Sequence, residues 1–274
     1  MKKLVLIVSI LGIVAILTSS CNKSEKTINQ DTSASADDAL AESLFENVTK
    51  VVDEAYDSGS GNSKSSDETQ YVNGCAVVTI DLTVYPYSLI VDFGDENCLC
   101  EDNRYRRGKI LVTFNGEYRE PGTVITYGFD NYHVNDYQID GTKIITNLGQ
   151  NNDGNINYNI SVVGVINFPD NGGTISWNAT KNREWIEGID TWTHLDDVYL
   201  ITGSSEGIRS NGLQWTRNIL IPLRVEIGCK WIVSGTMEVA PEGIPARLFD
   251  WGNGDCDNIA TVVVNGVTYT IFLP

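Results

Sequence analysis

Cysteine is the residue type with the clearest chemistry in this chain, which contains six of them. Two distant segments, 74–98 and 228–256, share one pattern: each opens with Gly-Cys, turns near a proline and ends with Asp, an aromatic residue, Gly, three further residues and Cys. Matching the segments predicts one disulfide in each, with a typical contribution of about 2 to 4 kcal/mol to stability. The predicted pairs are Cys75 with Cys98 and Cys229 with Cys256.

Cys100 is left over by this pairing, although a bond between Cys75 and Cys100 would suit the first segment nearly as well. The acidic neighbours Glu101 and Asp102 would raise the pKa of a free Cys100 thiol, which is the opposite of an activated nucleophile. The shared pattern also has two explanations: a duplication of half-domains, or chance similarity between strands rich in Gly and Asn.

Cys21 predicts where the chain is located. Lys2 and Lys3 precede an apolar run from Leu4 to Leu17, and three small residues lead from this run to Cys21. This is the order of a bacterial lipoprotein signal, which is cut before a cysteine that carries the lipid. Fourteen helical residues would span about 21 Å, short of the roughly 30 Å hydrocarbon core, so we expect an anchor and not a membrane span. A secreted protein with an incidental cysteine is the alternative.

The sequence offers few residues for acid–base catalysis or metal binding. The two histidines, His133 and His194, belong to no HxH or HExxH pattern. The sequence also lacks nucleotide-loop, dinucleotide and serine-hydrolase motifs. A glycosidase needs only two carboxylates about 5 to 9 Å apart. The chain has 36 acidic residues, and only the fold determines which of them lie at this distance from each other. We therefore do not identify an enzyme, and a carbohydrate-active hydrolase that uses acidic residues is an alternative.

Three short loops near Asp92, Gly149 and Asp250 concentrate the oxygen-bearing side chains that calcium prefers. None of them has the EF-hand spacing, and Asp, Asn and Gly are also the residues that turns require. We therefore expect turns and no cofactor at these positions, with calcium as the alternative.

Trp185 and Trp192 are the candidate ligand-binding residues. They flank the stretch 186–190 between candidate strands, close to Arg183 and Glu184. On a long loop their indole faces could stack on a sugar or on a partner protein. Packing of the two rings beneath that loop is the other interpretation, and it is the one that the sequence favours.

The chain is strongly acidic, and its formal charge goes from −17 to −19 when Lys2 and Lys3 leave with the signal peptide. Such a charge repels nucleic acid and anionic lipid headgroups, so we expect no nucleic-acid partner and a membrane attachment that depends on the lipid. With 42% hydrophobic and 20% charged residues, the composition is that of a globular domain.

The apolar pattern places these residues on distinct segments. A signal peptide covers 1–20, a polar tether 21–34, and apolar residues at helical spacing predict a helix over 35–57 that docks on another element. Residues 58–70 have the composition of a flexible linker. From 71 to 274, short runs of Val, Ile, Thr and aromatics are separated by Gly, Asn and Asp, which predicts a β domain.

The predicted fold is all-β: about a dozen strands in a large antiparallel meander, with one N-terminal helix. A sandwich, a strongly curved sheet and a barrel are all compatible with the pattern, either as one unit or as two duplicated halves. Asn265-Gly266 between two apolar runs predicts a type I′ hairpin, and Asn115-Gly116 predicts a second hairpin.

Several short motifs in 71–274 resemble those of lipoproteins that are abundant in Bacteroidetes and have no assigned activity. They are GC, DFGDENC, RRGKI, NREW, ITG and DWGNGDCDN. The resemblance implies a cell-envelope location, with the outer membrane favoured and inward or outward orientation open. It implies no catalytic residue.

The sequence therefore predicts a lipid-anchored, disulfide-braced β domain that is a binding or structural component of the envelope. Its expected partners are the membrane, through the lipid, and a glycan or an envelope protein. A hydrolase and a fimbrial or adhesive subunit are the alternatives. An apolar cavity in the structure would favour a carrier of hydrophobic ligands, and paired carboxylates would favour the hydrolase. A groove beside an edge strand would favour a subunit that assembles by strand addition.

Overall fold

A computed structural model describes residues 31–60, 71–72, 74–191 and 195–273. The predicted signal peptide, Cys21 and most of the tether and linker lie outside the described residues, as do Trp192 and His194. Within the described residues the chain forms one α-helix followed by fifteen β-strands and a single 3₁₀ turn.

The helix α1 is Ser33–Ser60. The strands are β1 Tyr71–Val72, β2 Ala76–Asp81, β3 Tyr87–Asp92, β4 Cys98–Leu99, β5 Tyr105–Phe114, β6 Val124–Val134, β7 Tyr137–Gln150, β8 Ile156–Asn167, β9 Thr174–Glu187, β10 Val198–Arg209, β11 Gln214–Glu226, β12 Ile232–Pro241, β13 Arg247–Asn253, β14 Ile259–Val264 and β15 Val267–Phe272, with the 3₁₀ turn at Pro169–Asn171.

All strands belong to one antiparallel sheet, in which each strand pairs with its neighbours along the chain. The one departure is β4, which pairs with β5 beside the segment that pairs with β3. β1 and β15 are the two ends of the sheet and do not meet, so the sheet is open. The predicted antiparallel meander is confirmed, and of the three architectures the structure has the curved sheet.

The sheet curves around α1. The helix contacts β2 and β3 near one end of the sheet and β9 to β12 toward the other. The predicted N-terminal helix is confirmed, and it extends two residues before and three residues after the predicted span. Its apolar side chains fill the concave side of the sheet: Ala41, Leu44, Phe45, Val48, Val51, Val52 and Ala55 are all buried. Among the described residues, no helix combines the length and apolar character needed to cross a membrane.

Phe45 packs the helix tightly against the sheet. Its ring stacks on Trp177 with centroids 5.6 Å apart and meets the edge of Phe129 at 6.0 Å. Gly164 on β8 lies directly beneath the ring, and a Cβ atom at this position would overlap it. The absence of a side chain at 164 therefore allows the helix to sit close to the sheet.

Both predicted disulfides are confirmed, and each spans the base of a hairpin. Cys75–Cys98 joins the residue before β2 to the first residue of β4 across the β2–β3 hairpin, and Cys229–Cys256 joins the segments that flank the β12–β13 hairpin. The shared aspartate has the same role in both hairpins, because its side chain accepts a hydrogen bond from the glycine two residues later. The donor–acceptor distances are 2.9 Å for Gly94 to Asp92 and 2.8 Å for Gly252 to Asp250. The shared sequence pattern thus encodes the same braced hairpin and turn twice.

Cys100 is the free cysteine of the described residues, and it is buried. Burial raises the pKa of its thiol, so the reactive thiolate is disfavoured. This outcome selects Cys98, and not Cys100, as the partner of Cys75.

The two Asn-Gly pairs behave differently. Asn265 and Gly266 both have positive φ, 53° and 77°, and join β14 to β15 in the predicted type I′ turn. Asn115 and Gly116 begin a longer loop, 115–123, between β5 and β6. The Asn115 side chain closes this loop by accepting a 2.6 Å hydrogen bond from the Val124 N–H.

Candidate functional site

Trp185 lies in β9, near its end, and is only 3% exposed. Its indole N–H donates to the Glu187 carbonyl at 2.6 Å, and the Arg119 guanidinium lies 4.4 Å from the centre of its ring. Tyr199 packs against the same indole. A sugar could therefore stack on Trp185 only after Arg119 had moved away.

The three loops that suggested calcium use their oxygens within the chain. Asp92 forms a 2.7 Å salt bridge with Lys109, Asn151 accepts the N–H groups of Asp153 and Asn155, and Asp250 accepts that of Gly252. In the part of the chain that the structure describes, no three His, Cys, Asp or Glu side chains are grouped to hold a metal ion. Turn formation accounts for these oxygen-rich loops.

An apolar cavity lies between the first turns of α1 and the last strands of the sheet, and we call it the groove. Its volume is about 540 Å³ and its wall is almost entirely apolar. Short side chains form the helix side: Thr32, Ser35, Ala36 and Ala39. Larger apolar side chains form most of the sheet side, including Phe249, Trp251, Val262, Tyr269, Ile271 and Leu273.

Two periodicities in the sequence build the groove. Alternate residues of β13, β14 and β15 point to the same face of the sheet, which explains why the lining residues occur at every second position. Positions 35, 36 and 39 share one face of the helix, position 32 directly precedes it, and the small side chains at these positions leave space above the sheet. The main contacts of α1 end at β12, so the inner face of the last three strands is left to line the groove.

The strand register orders the sheet side of the groove into rows. Arg247 pairs with Val264 and, two residues further along, Phe249 pairs with Val262 and Val262 with Tyr269. Ile271 and then Leu273 continue this inward face at the same two-residue interval. Each interval is about 6.6 Å, so the groove extends about 20 Å from the row of Arg247 to Leu273.

Polar groups are concentrated at the Arg247 end. Arg247 is 3% exposed, and its guanidinium donates to the main-chain carbonyls of Pro245, at 2.5 Å, and of Asp31. It forms no salt bridge within the described residues. The hydroxyl of Ser35 is buried at this end without a hydrogen-bond partner.

The part of α1 beyond the groove carries carboxylates into the concave side of the sheet. Asp38, Glu42 and Glu46 lie one helical turn apart and face basic residues of the sheet. The pairs are Arg217 with Asp38 at 3.4 Å and with Glu42 at 2.8 Å, Lys181 with Glu42 and with Glu46 at 2.8 Å, and Lys143 with Glu46 at 3.3 Å. We call this set the ion-pair row.

The ion-pair row does not have the electrostatics of a hydrolytic pair. Burial opposes ionisation of Glu42, but Lys181 and Arg217 outweigh it and hold the pKa of Glu42 below its usual range. Lys181 and Lys143 lower the pKa of Glu46 in the same way, again against burial. A glycosidase requires one carboxyl group with a raised pKa to donate a proton, which neither glutamate provides.

Comparisons with protein-family models, with curated proteins and with solved structures each found no match. The functional interpretation therefore depends on the geometry of this chain. The sequence indicated the alternation of Tyr269, Ile271 and Leu273. Their role in a groove depends on where the first turns of α1 lie on the sheet, which local sequence does not specify.

Proposed function

We propose that this protein is a lipid-anchored lipoprotein of the cell envelope whose groove binds an apolar, chain-shaped ligand. The observation that carries the proposal is the groove itself. Its volume of about 540 Å³ lies in the range of small-molecule sites, which are concave, mostly apolar and equipped with a few polar groups. An elongated apolar wall about 20 Å long suits a flexible hydrocarbon chain.

The proposed anchor would hold the groove near a membrane. Ten residues, 22–31, separate Cys21 from Thr32 in the groove wall, and an extended chain of this length spans at most about 36 Å. The resemblance to Bacteroidetes lipoproteins supports an envelope location, with the outer membrane favoured. The strongly negative charge of the chain argues against a nucleic-acid partner.

The alternatives have less support. Glu42 and Glu46 are neutralised by lysine and arginine, which does not suit a hydrolytic pair. Burial raises the pKa of Asp53 on α1 to about 6, but a raised pKa alone does not identify a catalytic acid. An adhesive subunit that grows by strand addition could use β15 as an open edge, whereas the described part of the opposite edge, β1, is the two residues Tyr71–Val72. A glycan ligand at Trp185 would require displacement of Arg119.

Filling the groove should weaken ligand binding. We expect N-phenyl-1-naphthylamine, a neutral probe that fluoresces in apolar sites, to bind the full mature chain carrying Cys21→Ser. Adding Ala36→Trp places an indole in the groove and should weaken binding at least about tenfold, or 1.4 kcal/mol. Ser43→Trp, at an exposed position elsewhere on α1, is the matched control and should leave the affinity unchanged. Absence of probe binding to the starting chain, or equal affinities for both variants, would contradict the proposal.

The anchor is tested separately by metabolic labelling with an alkyne-tagged palmitate in a bacterial host. We expect the full-length precursor to incorporate the label and to fractionate with membranes. Cys21→Ser should lose the label, because the sulfur that carries the lipid through a thioether bond is gone, whereas Cys100→Ser should retain it. Label that persists in Cys21→Ser, or an unlabelled parent protein, would overturn the assignment of Cys21.

A further inference from the structure

We infer that the ligand of the groove is a fatty acid, with its hydrocarbon chain along β13 to β15 and its carboxylate at the Arg247 end. This inference rests on the proposed function, since it names the chemistry of the apolar ligand. It follows from the way in which polar and apolar groups are separated along the groove.

Arg247 supplies the charge. A guanidinium has five N–H donors, and the bonds described for Arg247 go to two neutral carbonyl oxygens. A cation that is 97% buried is costly unless a counter-charge is close. The exposed carboxylate of Asp31 attracts this guanidinium, and no salt bridge between described residues includes Arg247. A ligand carboxylate would supply that counter-charge and could accept two parallel N–H bonds from arginine.

Further donors lie at the same end. The Ser35 hydroxyl is buried without a partner and can donate to an oxygen of the ligand. The N-terminus of α1 also lies here, and the helix dipole favours negative charge at this position. No acidic residue occurs in the first turn of α1 to compete for these donors.

The nearest acidic side chains are already engaged. Asp31 is exposed and accepts the N–H of Ser33 at 2.9 Å, and Asp37 forms a 2.9 Å salt bridge with Arg209. The overall negative charge of the chain acts at longer range and is screened beyond about 8 Å at physiological ionic strength. The local field at the Arg247 end is therefore set by the guanidinium, the helix terminus and the exposed Asp31 carboxylate, whose effect is screened by solvent.

The remaining rows contain no second charge. From Phe249 to Leu273 the lining is aliphatic or aromatic over about 13 Å of the groove. The depth of Arg247 favours a small head, which a carboxylate provides and a phospholipid headgroup does not. A single chain with a compact anionic head matches this arrangement.

Displacement of N-phenyl-1-naphthylamine tests the inference in the full mature chain carrying Cys21→Ser. The probes are laurate, dodecanol and dodecyl phosphate, which share one chain length and differ in the head. We expect laurate to displace the fluorophore at a concentration at least about tenfold lower than dodecanol, with dodecyl phosphate weaker than laurate. Arg247→Gln should reduce the preference for laurate over dodecanol to about twofold or less, and Arg247→Lys should retain part of it.

The outcomes separate the two proposals. If the fluorophore binds but dodecanol is as potent as laurate, the inference fails and the apolar groove stands. Equal potency of dodecyl phosphate would overturn the assignment to a fatty acid, because the head site would then accept anions in general. If the fluorophore does not bind, the proposed function itself fails. Since Arg247 is buried, the folding of its variants is first checked by circular dichroism. If the variants do not fold, the relative potencies of laurate, dodecanol and dodecyl phosphate with Arg247 intact decide whether the ligand is a fatty acid.

Discussion

Asp38→Ala should lower the free energy of unfolding by about 3 to 5 kcal/mol, the range for removing one partner of a buried charge pair. Asp38 is 1% exposed and accepts hydrogen bonds from the indole N–H groups of Trp177, at 2.9 Å, and Trp215, at 3.3 Å. Its carboxylate also accepts the Ser205 hydroxyl at 2.7 Å and lies 3.4 Å from Arg217. Alanine would leave the two indole N–H groups and the Ser205 hydroxyl without their acceptor. It would also remove one of the two carboxylates that balance the buried charge of Arg217.

Urea denaturation followed by tryptophan fluorescence measures this loss, and Trp177 and Trp215 report directly on the site. Ser205→Ala is the matched control, because it removes one donor and leaves the carboxylate and its other partners in place. We expect it to cost about 1 kcal/mol. If Asp38→Ala cost no more than Ser205→Ala, Asp38 would not fix the start of α1 in the sheet.

The size of this effect reflects how far apart in sequence the partners are. Asp38 is 139 residues from Trp177 and 177 residues from Trp215. Such contacts hold the N-terminal turns of α1 at a defined depth in the sheet, and this depth in turn sets the space left for the groove. The contacts of Asp38 therefore help to determine the shape of the groove, although Asp38 does not line it.

Local sequence predicted the parts of the fold that depend on local chemistry. The turn at Asn265-Gly266 follows from the need for positive φ, and the cysteine pairs follow from two matching segments that form equivalent hairpins. The alternation of apolar residues predicted the strands, and helical spacing predicted α1. Each of these signals is complete within a short stretch of chain.

The curvature of the sheet and the placement of the candidate residues depend instead on contacts between residues far apart in the sequence. Trp185 is adjacent to a polar segment in the sequence, yet in β9 it is covered by Arg119, which is 66 residues away along the chain. Lys143 and Lys181 would ordinarily be assigned to the surface. They are buried because α1, about 100 and 140 residues earlier, supplies their counter-charges. The local sequence around these two lysines therefore does not predict that they are buried.

Lys181→Met should reduce the free energy of unfolding by about 3 to 5 kcal/mol at pH 7. The Lys181 side chain is 5% exposed, and its ammonium group binds both Glu42 and Glu46. Methionine keeps much of the volume of lysine but removes the charge, so two carboxylates in the concave side of the sheet lose their shared cation. The loss should be measured by urea denaturation with intact disulfides.

The pH dependence of this loss identifies its electrostatic origin. In the parent protein, burial opposes ionisation of both glutamates, but the basic partners hold their folded-state pKa values below the unfolded value of about 4.3. The ion pairs therefore stabilise the parent above that pH, and this contribution is lost as the pH falls through 4.3 toward the folded-state pKa values. Without Lys181 the glutamates protonate more readily, so we expect the difference between variant and parent to shrink from pH 7 to pH 4.

Lys50→Met is the matched control, because Lys50 is an exposed lysine on the same helix, and we expect a change below about 0.5 kcal/mol at both pH values. A destabilisation by Lys181→Met that is equally large at pH 7 and pH 4 would assign the effect to packing. It would then contradict the view that the charges of the ion-pair row hold α1 in the sheet. A difference that disappears on acidification would show that the helix is fixed by these charges as well as by its apolar face.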